Sequence, residues 1–174
     1  YYEMIANAVN IPISLYNVPG RTGVNLKPCV VKELALIPNI IGIKEASGDI
    51  AQVAEIARLC GNDFLIYSGN DDMIVPILSL GGQGVISVLA NILPQQTHDL
   101  VEAYLTGDVL KSRQLQLEMN GLVHALFIEV NPIPVKTAMN LMGMNVGGLR
   151  LPLTEMTAEH VEKLKEEMMK QQLL

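Results

Sequence analysis

The chain of 174 residues is 49% hydrophobic and 17% charged, with a mean hydropathy of +0.30, far from the polar, highly charged compositions that stay unfolded. Twelve Lys and Arg against 18 Asp and Glu give a formal net charge of −6, and no basic cluster supplies the phosphate-neutralising footprint of a nucleic-acid binder. No apolar run reaches the ~20 residues that a membrane-spanning helix requires, and Cys29 and Cys60 show neither metal-ligand nor disulfide spacing. The expectation is a soluble, cytoplasmic protein with both thiols packed in its core.

Ile5, Ala8 and Val9 recur at helical spacing, so Tyr1 to Val9 reads as the last turns of a helix whose start is absent, and the expectation is a truncated chain. Ile11–Asn17 is a short branched run ended by the turn signal Val18-Pro19-Gly20, which predicts a strand. Lys27–Leu36 predicts a helix, and Ile40–Ala46 repeats the strand pattern. Ser47-Gly48-Asp49 caps a helix over Ile50–Cys60. Phe64–Asn70 predicts a third strand, Asp71–Leu80 a third helix, Gly84–Leu89 a fourth strand and Pro94–Leu105 a fourth helix.

Four near-continuous apolar strands alternating with helices predict an α/β protein with a parallel sheet covered by helices. No G-x-G-x-x-G opens a helix after the first strand, so a dinucleotide-binding sheet lacks its main sign. Tyr16, Lys44 and Gly69 recur at intervals close to the ~31 residues that each unit of a (β/α)8 barrel occupies. Residues 1–107 therefore read as half of a TIM (β/α)8 barrel, its last four β/α units. Beyond Gly107 the strand signals stop, and 108–174 reads as a helical module with helices over Leu110–Leu122, Pro134–Met142 and Thr157–Gln172. In the last of these Val161, Leu164 and Met168 share a face, and Glu159/Lys163 and Glu166/Lys170 form i,i+4 pairs.

Lys44 is the residue most out of place, because it interrupts a strand where a packed sheet holds apolar side chains. Alternation puts Gly42 and Ala46 on its face, leaving space for a ligand. An amine withdrawn from water favours its neutral, nucleophilic form, which attacks carbonyls to make a Schiff base. The other reading is an ion pair with Glu45 or another acid, and both stand at this point. Tyr16 ends the first strand at the edge where barrel active sites assemble. It is either a proton shuttle for imine formation or an aromatic at the rim of the core. Arg21, in the following loop, is either a solvated cation or a bidentate grip on a substrate carboxylate. His98, His124 and His160 lack metal spacing and receive no chemical role.

Tyr16-Asn17-Val18-Pro19-Gly20-Arg21-Thr22-Gly23 followed by Gly42-Ile43-Lys44-Glu45-Ala46-Ser47-Gly48-Asp49 closely resembles the pyruvate-dependent class I aldolase family (the N-acetylneuraminate lyase superfamily), and within it the dihydrodipicolinate synthase branch. Ser68-Gly69-Asn70-Asp71, Gly84-Val85-Ile86-Ser87-Val88 and Asn131-Pro132-Ile133-Pro134-Val135-Lys136 continue the match in order, as the C-terminal portion of such a protein. The resemblance implies that Lys44 forms the Schiff base with pyruvate and that Tyr16 belongs to a proton relay. It also implies that Arg21 binds the carboxylate of a second substrate, aspartate β-semialdehyde, and that the backbone carbonyls of Gly69 and Ile86 line the pocket. The implied reaction gives the first ring intermediate of lysine (diaminopimelate) biosynthesis, with no cofactor. A homotetramer assembled from dimers is the implied assembly. The first half of the barrel, with the remainder of the relay and much of the site for inhibition by lysine, has no counterpart in these residues.

Two alternatives stand beside this reading. One is a sister pyruvate aldolase or lyase acting on a sugar acid, such as N-acetylneuraminate lyase. The other is an inactive fragment with a structural or assembly role, completed by a complementary N-terminal half or a second copy.

Overall fold

The branched apolar runs form four parallel strands in the order β1-β2-β3-β4, seen in a computed structural model that describes residues Tyr1–Leu174. β1 is Ile13–Asn17, β2 Ile40–Glu45, β3 Leu65–Ser68 and β4 Gly84–Val85. Parallel neighbours need a crossover between them. The crossovers carry α2 (Pro19–Thr22) and α3 (Pro28–Leu34), then α4 (Ile50–Cys60), then α5 (Ile74–Leu78). A preceding helix, α1 (Tyr2–Ala8), is tied to the start of β2 by the Asn39 amide, which donates to the carbonyls of Ala6 at 2.8 Å and Val9 at 3.2 Å.

By its internal contacts the chain forms two compact units, Tyr1–Ile86 and Ser87–Leu174. In the first, Leu15, Ile43 and Ile66 from one face of the sheet are buried with Val31 of α3, Val53 and Ile56 of α4 and Ile77 of α5. Each such side chain contributes roughly 1.5–3 kcal/mol by leaving water. The opposite face carries Ser14, Tyr16, Gly42, Lys44, Leu65 and Tyr67 by strand alternation. The N-cap expected of Asp49 is present: its Oδ1 accepts from the backbone N–H groups of Ala51 and Gln52 at 2.9 and 3.1 Å.

The second unit contains α6 (Pro94–Leu105), α7 (Val109–Leu126), α8 (Ile133–Leu141) and α9 (Ala158–Lys170). α6 groups with the helices that follow it: the buried Ser112 hydroxyl of α7 donates to the Leu100 carbonyl of α6 at 2.8 Å. Leu164 and Met168, on the expected apolar stripe of α9, are fully buried.

Several expectations are corrected. The fourth strand stops at Val85 instead of Leu89, because the chain turns just beyond it, Ser87 Oγ accepting from the Ala90 N–H at 2.8 Å. The helix expected over Asp71–Leu80 opens as a 3-10 turn over Asp71–Met73 and ends at Leu78; Pro76 offers no N–H to the Asp72 carbonyl. Cys29 is exposed and Cys60 half-buried, so they are not both core residues. Cys29 lies about 200° around α3 from the buried Val31. The Glu159–Lys163 pair forms at 2.6 Å, but Lys170 pairs with Glu167 at i,i+3 instead of Glu166.

No helix is long and apolar enough to cross a membrane.

Candidate active site

The site is organised by strand register. Tyr16 of β1 lies opposite Lys44 of β2, and Lys44 lies opposite Tyr67 of β3. Tyr16 and Lys44 are each the penultimate residue of their strands, so both stand at the C-terminal end of the sheet. The Lys44 ammonium nitrogen is 4.4 Å from the centroid of the Tyr16 ring, and the ring is 49% exposed.

Space for the lysine comes from a glycine one strand away. A Cβ on Gly69, just past β3, would stand 3.1 Å from Lys44 Cε and 2.6 Å from the Ala46 Cβ. Gly42, expected to make room beside the amine, answers a different demand: its added Cβ would fall 2.4 Å from the Leu65 carbonyl oxygen, so it permits close approach of β2 and β3.

The ion-pair reading of Lys44 does not survive the geometry. Glu45 faces the opposite side of the sheet and is 1% exposed. There its carboxylate accepts from the Ser47 backbone N–H at 2.7 Å, from the Asn17 amide at 3.0 Å and from the Gln52 amide at 3.4 Å. Lys44 takes part in no salt bridge with any carboxylate.

Arg21 lies on α2, directly after β1, and is exposed. Gly69 and Ile86 each follow immediately on a strand, β3 and β4 respectively, with Gly69 N–H bonded to the Glu45 carbonyl at 2.7 Å and Ile86 N–H to the Ser68 carbonyl at 2.9 Å. All five residues singled out in the sequence thus belong to the segments at the C-terminal ends of the four strands. The polar cluster of Asn17, Asn25, Glu45 and Gln52 was not singled out, although strand alternation places Glu45 on the apolar face with Ile43, a readable sign of a buried carboxylate. No grouping of His, Cys, Asp and Glu is placed to hold a metal ion.

These features define an α/β protein of successive β/α units whose polar side chains gather at the C-terminal strand ends. The chain belongs to the dihydrodipicolinate synthetase family, whose model matches residues 1–172. It is 59% identical over 166 residues to a 4-hydroxy-tetrahydrodipicolinate synthase of Clostridium perfringens, covering 95% of this chain and 57% of that protein. The corresponding enzyme of Caldicellulosiruptor bescii is 63% identical over 165 residues, with 95% and 56% covered. The chain therefore spans under three-fifths of the length of these relatives. The crystal structure of dihydrodipicolinate synthase from Thermotoga maritima superimposes with a TM-score of 0.97 at 42% identity, covering 99% of this chain and 60% of that one. The chloride-inhibited Acinetobacter baumannii enzyme, complexed with pyruvate, gives a TM-score of 0.96 at 38% identity over 99% of this chain and 60% of that one.

Proposed function

We propose that this chain carries the pyruvate-activating half of a 4-hydroxy-tetrahydrodipicolinate synthase. On this reading residues 1–107 are the last four β/α units of a (β/α)8 barrel, and 108–174 are an appended helical module. The outer edges of β1 and β4, each paired on one side only, are where further strands of a closed barrel would add. A complementary N-terminal half, or a homo-oligomer, would complete the site.

The observation that carries the proposal is the juxtaposition of Lys44 and Tyr16 on the sheet face away from the helices, with Gly69 leaving the lysine chain free to extend. The neutral Lys44 amine attacks the keto carbon of pyruvate, and the resulting carbinolamine loses water to give an imine. Both steps move protons, and Tyr16, the in-register partner of Lys44 on β1, carries a hydroxyl able to donate and accept one. Loss of a methyl proton converts the imine to an enamine, whose carbon adds to the aldehyde of aspartate β-semialdehyde. The new alkoxide takes a proton. The amine of the former semialdehyde then attacks the imine carbon, closing the ring and releasing Lys44. Arg21 supplies a fork of N–H donors for the carboxylate of the second substrate, and the carbonyls of Gly69 and Ile86 face the pocket. The lysine is its own electron sink, so the chemistry calls for no cofactor.

Product analysis with pyruvate and each of two aldehydes tests the assignment. Cyclic product from aspartate β-semialdehyde alone supports it. Condensation with a sugar aldehyde instead assigns the chain to a sister lyase, and turnover of neither by the completed assembly overturns the proposal.

A further inference from the structure

The segment Val18–Asn25, which carries Arg21, is largely exposed, yet Asn17 before it bonds a buried carboxylate directly and Asn25 at its end is joined to that carboxylate through the Asn17 and Gln52 amides. Asn17, at its start, donates its amide N–H groups to Glu45 at 3.0 Å and to Asn25 Oδ1 at 2.9 Å, while its Oδ1 accepts from the Leu26 N–H at 2.9 Å. Asn25 and Gln52 exchange a reciprocal amide pair at 2.9 and 3.1 Å, and Gln52 donates on to Glu45. Every group facing Glu45 is a donor, so an acceptor-only side chain orients all three amides at once. A carboxylate buried without a cation is costly. Holding the strands together does not require it, because Asn17 and Glu45 are already opposite one another in the backbone ladder. What the carboxylate adds is the docking of the loop.

We propose that Glu45 is a positioning residue for the Arg21 loop: by fixing the amides of Asn17, Asn25 and Gln52 it holds Arg21 where the carboxylate of the aldehyde substrate binds. This rests on the roles given above to Lys44 and Arg21. It assigns to Glu45 selectivity for the second substrate, and no part in imine formation.

Glu45→Gln sets an amide NH2 against two donors. With the intact protein, the KM for aspartate β-semialdehyde is expected to rise about tenfold, the scale of one lost charged hydrogen bond. Borohydride trapping of pyruvate on Lys44 should change less than about twofold, since no bond to Lys44 is altered. The exchange Asn17→Asp/Glu45→Gln moves the acceptor across the same contact. The Asn25 and Gln52 amides can turn over to match it, so KM should return to within about threefold of the parent. Hydrogen exchange at the Leu26 amide reads loop docking without catalysis, and should quicken in Glu45→Gln and recover in the exchange variant. An unchanged KM and unchanged Leu26 exchange in folded Glu45→Gln would overturn the proposal. So would a parallel loss of trapping and KM that the exchange fails to repair, which marks a merely structural role. If the parent traps no pyruvate, the Lys44 assignment is what fails, and Leu26 exchange still decides whether Glu45 docks the loop.

Discussion

Lys44 Nζ sits 4.4 Å from the ring centroid of Tyr16, its in-register partner on the adjacent strand. Two distinct parts of the tyrosine bear on the lysine. The ring face attracts a cationic nitrogen, an effect worth ~0.5–1 kcal/mol at partly exposed sites. The hydroxyl offers a proton. An iminium is a cation, so the ring favours the proposed intermediate.

Phenylalanine separates the two contributions. Tyr16→Phe keeps the ring over Lys44 and removes only the hydroxyl, so turnover should fall by roughly 10²–10⁴, the usual worth of a positioned proton-transfer group. Its melting temperature should barely move, because the lost group lies on a half-exposed side chain. Steady-state rates and thermal unfolding check this together.

Gly69→Ala tests the space behind the lysine. The new methyl would meet the Ala46 Cβ at 2.6 Å and Lys44 Cε at 3.1 Å, so the variant should lose roughly 1–3 kcal/mol of stability by overpacking. Pyruvate trapping should fall with it. Adding Ala46→Gly removes the closer clash and should recover most of the stability. Denaturant titration of the two single variants and the double variant measures that coupling.

Acid should loosen the second unit at one identifiable point. The Glu129 carboxylate accepts from His160 Nδ1 at 2.7 Å and from the Thr157 backbone N–H at 3.0 Å and hydroxyl at 3.1 Å. The His160 hydrogen bond is the main reason its pKa lies below the ordinary 4.5. A depressed folded-state pKa stabilises fully above the unfolded value, and that stability is lost as pH falls through the folded value. Below about pH 4.5 the docking of α9 should therefore weaken, and Glu129→Gln should flatten this limb of the stability profile. Urea titrations stepped from pH 6 to pH 3 provide the comparison.

Much of the fold could be read from the sequence because it follows from local chemistry. Ile50–Cys60 became α4 as expected, since Asp49 caps its first turn and Gly61 ends it. β1 to β3 lie within their expected runs, as branched residues between turn signals dictate. The Lys44–Tyr16 juxtaposition also followed, from two residues at matching positions in successive β/α units. The length of β4 escaped: β4 is short because the chain turns after Val85, where the Ser87 hydroxyl takes the Ala90 N–H. The rest of what escaped depends on partners distant in the chain. Thr157 precedes α9 as its N-cap, yet its hydroxyl bonds to Glu129, a distant residue that no local pattern marks. The Glu45 cluster joins residues from two crossovers, so only the assembled sheet brings its four side chains together.

The central claim is that Lys44 is the nucleophile, and reductive trapping addresses it most directly. The protein is treated with pyruvate and borohydride, digested, and mapped by mass spectrometry. The account predicts one reduced pyruvyl adduct, on the peptide containing Lys44, absent from Lys44→Ala. A folded protein that carries no adduct, or carries it on another lysine, would contradict the account.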